Sequence, residues 1–116
     1  MRHGHVELFV ADPSASRDFY ERVLGCEVIA VQHGGAVIWL RLSDREFLLR
    51  KGRAPERAAD YRHAGQAIVF FTDDLPAELR ALESRGLVFR GDDGPGCPTF
   101  TDPDGHWFQL VDPRHA

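Results

Sequence analysis

The chain has 116 residues, 43% of them hydrophobic, and 18 acidic against 14 basic side chains leave it with a formal net charge of −4. That length suits one compact domain with a real core, and the scattered basic residues argue against nucleic acid as a partner. No apolar run approaches the ~20 residues of a membrane span and no signal peptide precedes His5, so the expected address is the cytoplasm, away from membranes.

The first half opens with a strand from His5 to Ala11. Asp12-Pro13 is a helix start, with a carboxylate at the N-cap and proline at the first helical position. The helix is expected to run to Leu24, with Ala15, Phe19 and Val23 on one stripe and Tyr20 and Leu24 beside it, and to stop at Gly25. Three strands follow, Glu27–Gln32, Val37–Leu42 and Glu46–Arg50, joined by turns at His33-Gly34-Gly35 and Ser43-Asp44. Lys51 to Gln66 is polar, contains Pro55 and has no sustained period. It reads as a linker with a helical turn at Glu56–Tyr61. The second half repeats the order: a strand at 67–72, a helix at Leu75–Arg85 ending at Gly86, then strands at Leu87–Arg90, Pro98–Thr101 and His106–Val111. The turn Asp102-Pro103-Asp104-Gly105 separates the last two. Cys26 and Cys97 lack metal-type spacing and are expected to be free thiols serving as small apolar side chains.

The two halves are an internal repeat, and it sets the expected architecture. The first module spans about residues 3–50, the linker 51–66 and the second module about 67–113, all within one domain of 116 residues. Strand alternation assigns the faces. Val6, Leu8 and Val10 belong under the first helix, and Ile68 and Phe70 under the second, with Phe108 and Leu110 as core. The opposite faces carry His5, Glu7, Phe9, Trp39, Arg41, Glu46, Leu48 and Arg50 in the first half. In the second they carry Ala67, Val69, Phe71, Trp107, Gln109 and Val111. Two curled sheets facing each other would enclose an aromatic cavity with a few polar groups, which suits a small molecule.

Three motifs in order give a specific resemblance. The stretch His5-Val-x-Leu-x-Val-x-Asp-Pro-x-x-Ser-x-x-Phe-Tyr-x-x-Val-Leu-Gly25 resembles the opening of the vicinal oxygen chelate superfamily, which groups glyoxalase I, bleomycin-resistance proteins, extradiol dioxygenases and fosfomycin-modifying enzymes. Ala67–Asp74 resembles its second opening strand, and Asp102-Pro-Asp-Gly-x-x-Phe-Gln-Leu110 its closing motif. The resemblance implies an α+β fold: two βαβββ modules forming a cupped, barrel-like mixed sheet with helices outside, commonly as a homodimer.

Metal-using members hold one divalent ion with four side chains, one from each of four strands. Carried over by position, these are His5, Leu48, Ala67 and Gln109. Imidazole is a common ligand for zinc, nickel, manganese or iron. Leucine and alanine cannot coordinate, and Gln109 stands where the family usually has Glu. No metal or other cofactor is therefore expected. A slip of one residue in the fifth strand would bring Gln66 to the position of Ala67, at the cost of turning Ile68 away from the helix.

The residues invite two readings each. His5 could act as a base or hydrogen-bond donor, or simply bond to Gln109 or Glu7. Glu7 and Glu46 could be acid/base carboxylates, with Arg41 and Arg50 clamping an anionic ligand; alternatively these charges pair with one another across the sheet. Phe9, Trp39, Phe71 and Trp107 could stack on a planar molecule or fill the interior. The expected function is binding or sequestering of a small planar or amphipathic molecule by His5, Glu7, Phe9, Trp39, Arg41, Leu48, Arg50, Phe71, Trp107 and Gln109. The negative chain charge would suit a cationic ligand. The alternative is a lyase, isomerase or dioxygenase using a single divalent zinc, nickel, manganese or iron ion on His5 and Gln109. Catalytic candidates are His5 and Glu46, and whether there is turnover stays open.

Overall fold

A computed structural model of the chain describes residues 1–114. The chain separates into two compact units, Met1–Pro55 and the remainder from Glu56. The boundary falls inside the polar stretch after the fourth strand.

In the first unit, β1 (Val6–Val10) leads to α1 (Pro13–Asp18), and β2 (Glu27–Gln32), β3 (Val37–Leu42) and β4 (Arg45–Lys51) follow. The sheet order is β1-β4-β3-β2, with β1 parallel to β4 and the other two pairings antiparallel. The Asp12 carboxylate caps α1 by accepting from the Ser14 and Ala15 amides, and Pro13 occupies the first turn. Beyond Asp18 the helix widens into a π segment, Phe19–Val23, closed by the Leu24 amide donating to the Phe19 carbonyl.

The buried stripe lies one residue on from the expected one, already before the helix widens. Ser16, Tyr20 and Leu24 are buried, Phe19 and Val23 only half-buried, and Ala15 is exposed. The π segment carries that stripe on from Ser16 through Tyr20 to Leu24. The Tyr20 ring is thereby driven onto Phe47, with centroids 5.5 Å apart. Gly25 then reverses the chain at φ 78°, a left-handed angle that favours glycine.

The second unit has β5 (Ala67–Phe71), α2 (Leu75–Ser84), β6 (Thr99–Thr101) and β7 (Trp107–Val111). Its sheet order is β5-β7-β6, with β5 parallel to β7. The strand expected at Leu87–Arg90 does not form. Isolated links rather than a ladder tie this stretch to β6, among them the Arg90 amide to the Thr99 carbonyl, the Thr99 hydroxyl to the Arg90 carbonyl and the Thr99 amide to the Gly91 carbonyl, with a bridge at Asp92–Pro98. The glycines at 91, 94 and 96 all hold positive φ and curl the chain away from a ladder. The expected helical turn at Glu56–Tyr61 is also displaced, to a 3₁₀ turn at Tyr61–His63. Asp60 initiates that turn by accepting from the His63 amide.

The faces follow alternation in both units. Leu8 and Val10 are buried while Phe9 is 45% exposed, and Phe70 is half-buried while Phe71 is 72% exposed. The core of the second unit is a stack of phenylalanines. Phe108 lies between Phe70 and Phe100 at 5.4 and 5.1 Å, and Phe89 meets Phe100 edge-on. Cys26 and Cys97 are free thiols, and burial pushes the Cys26 thiol up to about 12.

Phe108 has neighbours on both ring faces, so Phe108→Ala should lower unfolding free energy by about 3–5 kcal/mol. Phe71→Ala should stay within about 0.5 kcal/mol of the parent. Denaturant melts of the two variants check the pair.

Candidate functional site

Each parallel ladder sets a strand that opens a unit beside the strand that closes it. Glu7 is level with Leu48, and Trp39 lies level with Leu48 on its other side. In the second unit Val69 is level with Gln109, and Thr99 flanks Gln109. Both units therefore use one register, and Ala67 holds the place in β5 that His5 holds just before β1. Ile68 and Phe70 keep to the helix side, so the slip that would substitute Gln66 does not occur.

On the first sheet, the far face gathers His5, Glu7, Trp39 and Arg50. The Glu7 carboxylate accepts from Arg50 Nε at 2.9 Å through Oε1, and its Oε2 lies 3.1 Å from His5 Nε2. The His5 ring sits 4.6 Å from Trp39, tilted by 58°. Trp39 Nε1 donates to Gln32 Oε1 at 3.2 Å, which fixes the indole. Arg50 and Glu7 thus pair across the sheet, and of the two partners expected for His5, Glu7 is the one it meets. Arg50 first, then His5, holds the Glu7 carboxyl below its ordinary value of 4.5. Leu48 lies beneath this group, 1% exposed. Phe9 lies alongside the glycine after β4; a Cβ on Gly52 would stand 3.0 Å from the Phe9 ring.

Arg41 and Glu46 face each other in the β3–β4 ladder but form no ion pair. Arg41 is half-buried, and its Nε is shut off from solvent with no acceptor among the described residues. Glu46 is exposed. These two candidates are not drawn into the His5–Glu7–Arg50 group.

The far face of the second sheet is covered by its own unit. Gln109 Nε2 donates to the Tyr61 hydroxyl at 2.8 Å and lies 3.5 Å from Asp93 Oδ2. Tyr61 also meets Trp107 edge-on at 6.1 Å, and the Arg90 guanidinium lies 5.1 Å from the Trp107 ring centre. Trp107 is 3% exposed, and its indole N–H has no acceptor among the described residues. Phe71 stands apart, exposed at the strand end. The Asp102 turn delivers Trp107 and Gln109 to these positions. Its carboxylate accepts from the Asp104 and His106 amides, and Gly105 takes φ 91°. Tyr61 and Asp93 escaped the sequence reading because they lie in segments without period, and Arg90 because it was read only as the end of a strand. The one available signal was an aromatic residue inside an otherwise polar stretch.

The four positions of the expected metal set can be tested by their chemistry. Leu48 and Ala67 have no donor atom, which leaves only the His5 imidazole and the Gln109 amide oxygen. That set falls short of the three protein ligands of a typical zinc site. Among the described residues, no group of three or more His, Cys, Asp or Glu side chains is placed to hold a metal ion. A separate depression of about 480 Å³ opens at the start of α2, beside Asp73, Asp112 and Arg114. Arg114 is neutralised there by Asp112 at 2.7 Å and by the Asp73 carbonyl, and no sequence-predicted site residue lines it.

Paired parallel ladders in one register, with a helix after the opening strand of each unit, define the α+β class, here a βαβββ unit followed by a βαββ unit. The family model described as Glyoxalase/Bleomycin resistance protein/Dioxygenase superfamily matches residues 2–110, and the chain belongs to that superfamily. Solved structures agree. The SMU.1112c protein is 29% identical, with 95% of this chain and 97% of that one covered and a TM-score of 0.69. A protein from the mobile metagenome of V. Pseudocholerae is 26% identical, with 95% and 92% covered and a TM-score of 0.69. The lactoylglutathione lyase of Agrobacterium tumefaciens, at 20% identity, 96% and 92% coverage and a TM-score of 0.71, shares the fold. No curated protein matches the sequence. No helix among the described residues is long and apolar enough to cross a membrane.

Because folding depresses the Glu7 carboxyl, its contribution to stability is present above the unfolded carboxylate pKa. That contribution is lost as pH falls through the lowered folded value. Arg50→Gln should raise the Glu7 midpoint toward its ordinary value. Carbon-detected NMR titration of the carboxyl checks this, and an unmoved midpoint would mean that the pair does not form in solution.

Proposed function

We propose that this superfamily member binds a small planar or amphipathic molecule without a metal ion, on the sheet face that carries His5, Glu7, Trp39 and Arg41. The carrying observation is the state of the Trp39 indole. Gln32 fixes its edge and the tilted His5 ring braces it, yet the side remains only partly covered. A braced aromatic plane loses little rotamer entropy when a flat ligand stacks on it, so binding gains most of the contact energy.

The Glu7–Arg50 pair supports the same reading. Both charges satisfy each other at 2.9 Å with side chains about one third to two fifths exposed, which makes Glu7 a supporting group for His5 rather than a free base. His5 is left as the polar contact at the edge of the aromatic surface. On the second unit, Trp107 and Gln109 are engaged or covered by Tyr61, Asp93 and Arg90, so the first face is the more available surface. The residues at 48 and 67 offer no donor for a divalent ion, and no chemical step is assigned to one. Turnover is not part of the proposal.

The test is calorimetry in the presence of a chelator, against a panel of flat heteroaromatic metabolites and antibiotics. At least one should bind saturably. Trp39→Ala should weaken it by about tenfold or more, the equivalent of losing about 1–1.5 kcal/mol of ring contact. Absence of saturable binding across the panel, or binding unaffected by Trp39→Ala, would remove the basis for this function.

A further inference from the structure

The geometry points to Arg41 as the group that selects the ligand, and to a carboxylic acid on a flat apolar body as the class of molecule selected. This deepens the reading of the His5–Trp39 face as a binding surface and rests on it.

That face carries two arginines. Arg50 is spent: its Nε donates to Glu7 at 2.9 Å. Arg41 is not. It lies two residues beyond Trp39 on β3, so alternation places it on the same side, while Ile38 and Leu40 point to the core at 1% and 0% exposure. Its ladder neighbours are Glu46 on β4 and Glu27 on β2, both exposed, and it forms no ion pair or hydrogen bond with either. Its Nε is out of reach of water and has no acceptor among the described residues.

A half-buried guanidinium with an unmet donor is an unfavourable arrangement in isolation, because the desolvated N–H has given up water and received nothing. The Nε itself is closed to an incoming anion as it is to water, but the outer Nη groups of this half-buried side chain have no acceptor among the described residues and are where an oxygen anion can dock. The fork of a guanidinium matches the two oxygens of a carboxylate, and such charge-assisted pairs are stronger and more directional than neutral ones. The neighbouring indole supplies a plane for the apolar part of the same molecule. The chain's net charge of −4 points by itself to a cationic ligand, but a bulk charge acts at long range and is screened by salt. An unpartnered arginine acts at contact, where selectivity is decided.

Two matched probes separate the possibilities: 2-naphthoate and 2-naphthamide, which share a ring system and differ in charge. Each is titrated calorimetrically into the full chain and into Arg41→Gln and Arg41→Lys. The acid should bind at least about tenfold more tightly than the amide. Arg41→Gln should bring the acid down to the amide's affinity, and Arg41→Lys, which keeps the charge without the fork, should fall between. Equal binding of acid and amide, or an acid preference that survives both substitutions, overturns the role of Arg41 while the face remains a binding surface. Failure of both probes on the parent chain overturns the role of Arg41 and counts against the surface as well. Thermal melts confirm that each variant folds, and Arg41→Lys carries the test if Arg41→Gln does not.

Discussion

The structure depends on one constraint, the parallel pairing of the strand that opens each unit with the strand that closes it. Parallel neighbours need a long crossover between them. In the first unit that crossover includes α1 and two further strands; in the second it includes α2 and β6. Once β1 lies beside β4, parity alone puts Glu7 level with Leu48 and Phe9 level with Arg50. The Glu7–Arg50 pair and the His5–Trp39 contact follow from that register, as does the burial of Leu48. A slip of one residue would reverse every one of these assignments.

The same constraint makes the two units comparable residue by residue, and the comparison shows how they have diverged. Trp39 flanks Leu48 in one unit, and Thr99 flanks Gln109 in the other. The first unit keeps an ionic group and a braced indole on its far face. The second covers its far face with Tyr61, drawn from the polar stretch before β5, and leaves Gln109 only 8% exposed. A shared fold thus carries two differently finished surfaces, and function has to be argued from the surfaces.

Much of this was legible in the sequence, for reasons that also mark where legibility ended. Strands β2 and β3 match their expected bounds because alternating side chains and flanking glycine or Ser-Asp turns delimit them. The faces of β1, β4, β5 and β7 followed from period two. The stripe of the first helix did not, because two stripes repeat every four residues and nothing in their spacing decides that Ser16, Tyr20 and Leu24 rather than Ala15, Phe19 and Val23 are buried. The missing strand at Leu87–Arg90 had the right side chains but was followed by glycines that prevent a ladder. Partner choice was the harder limit. Alternation put Arg41 and Arg50 on one face with Glu7 and Glu46, yet only three-dimensional reach decides that Arg50 takes Glu7 and leaves Arg41 alone. The contacts of Tyr61 and Asp93 with Gln109 join segments 48 and 16 residues apart through loops that have no pattern to read.

The central proposal is that this superfamily member keeps the scaffold and binds its ligand without a metal ion. The most direct measurement is elemental analysis of the purified chain after growth and incubation with zinc, nickel, manganese and iron, followed by desalting. The account predicts less than about half an equivalent of any of these metals per chain. One tightly held equivalent, lost together with ligand binding when His5 or Gln109 is replaced, would contradict it.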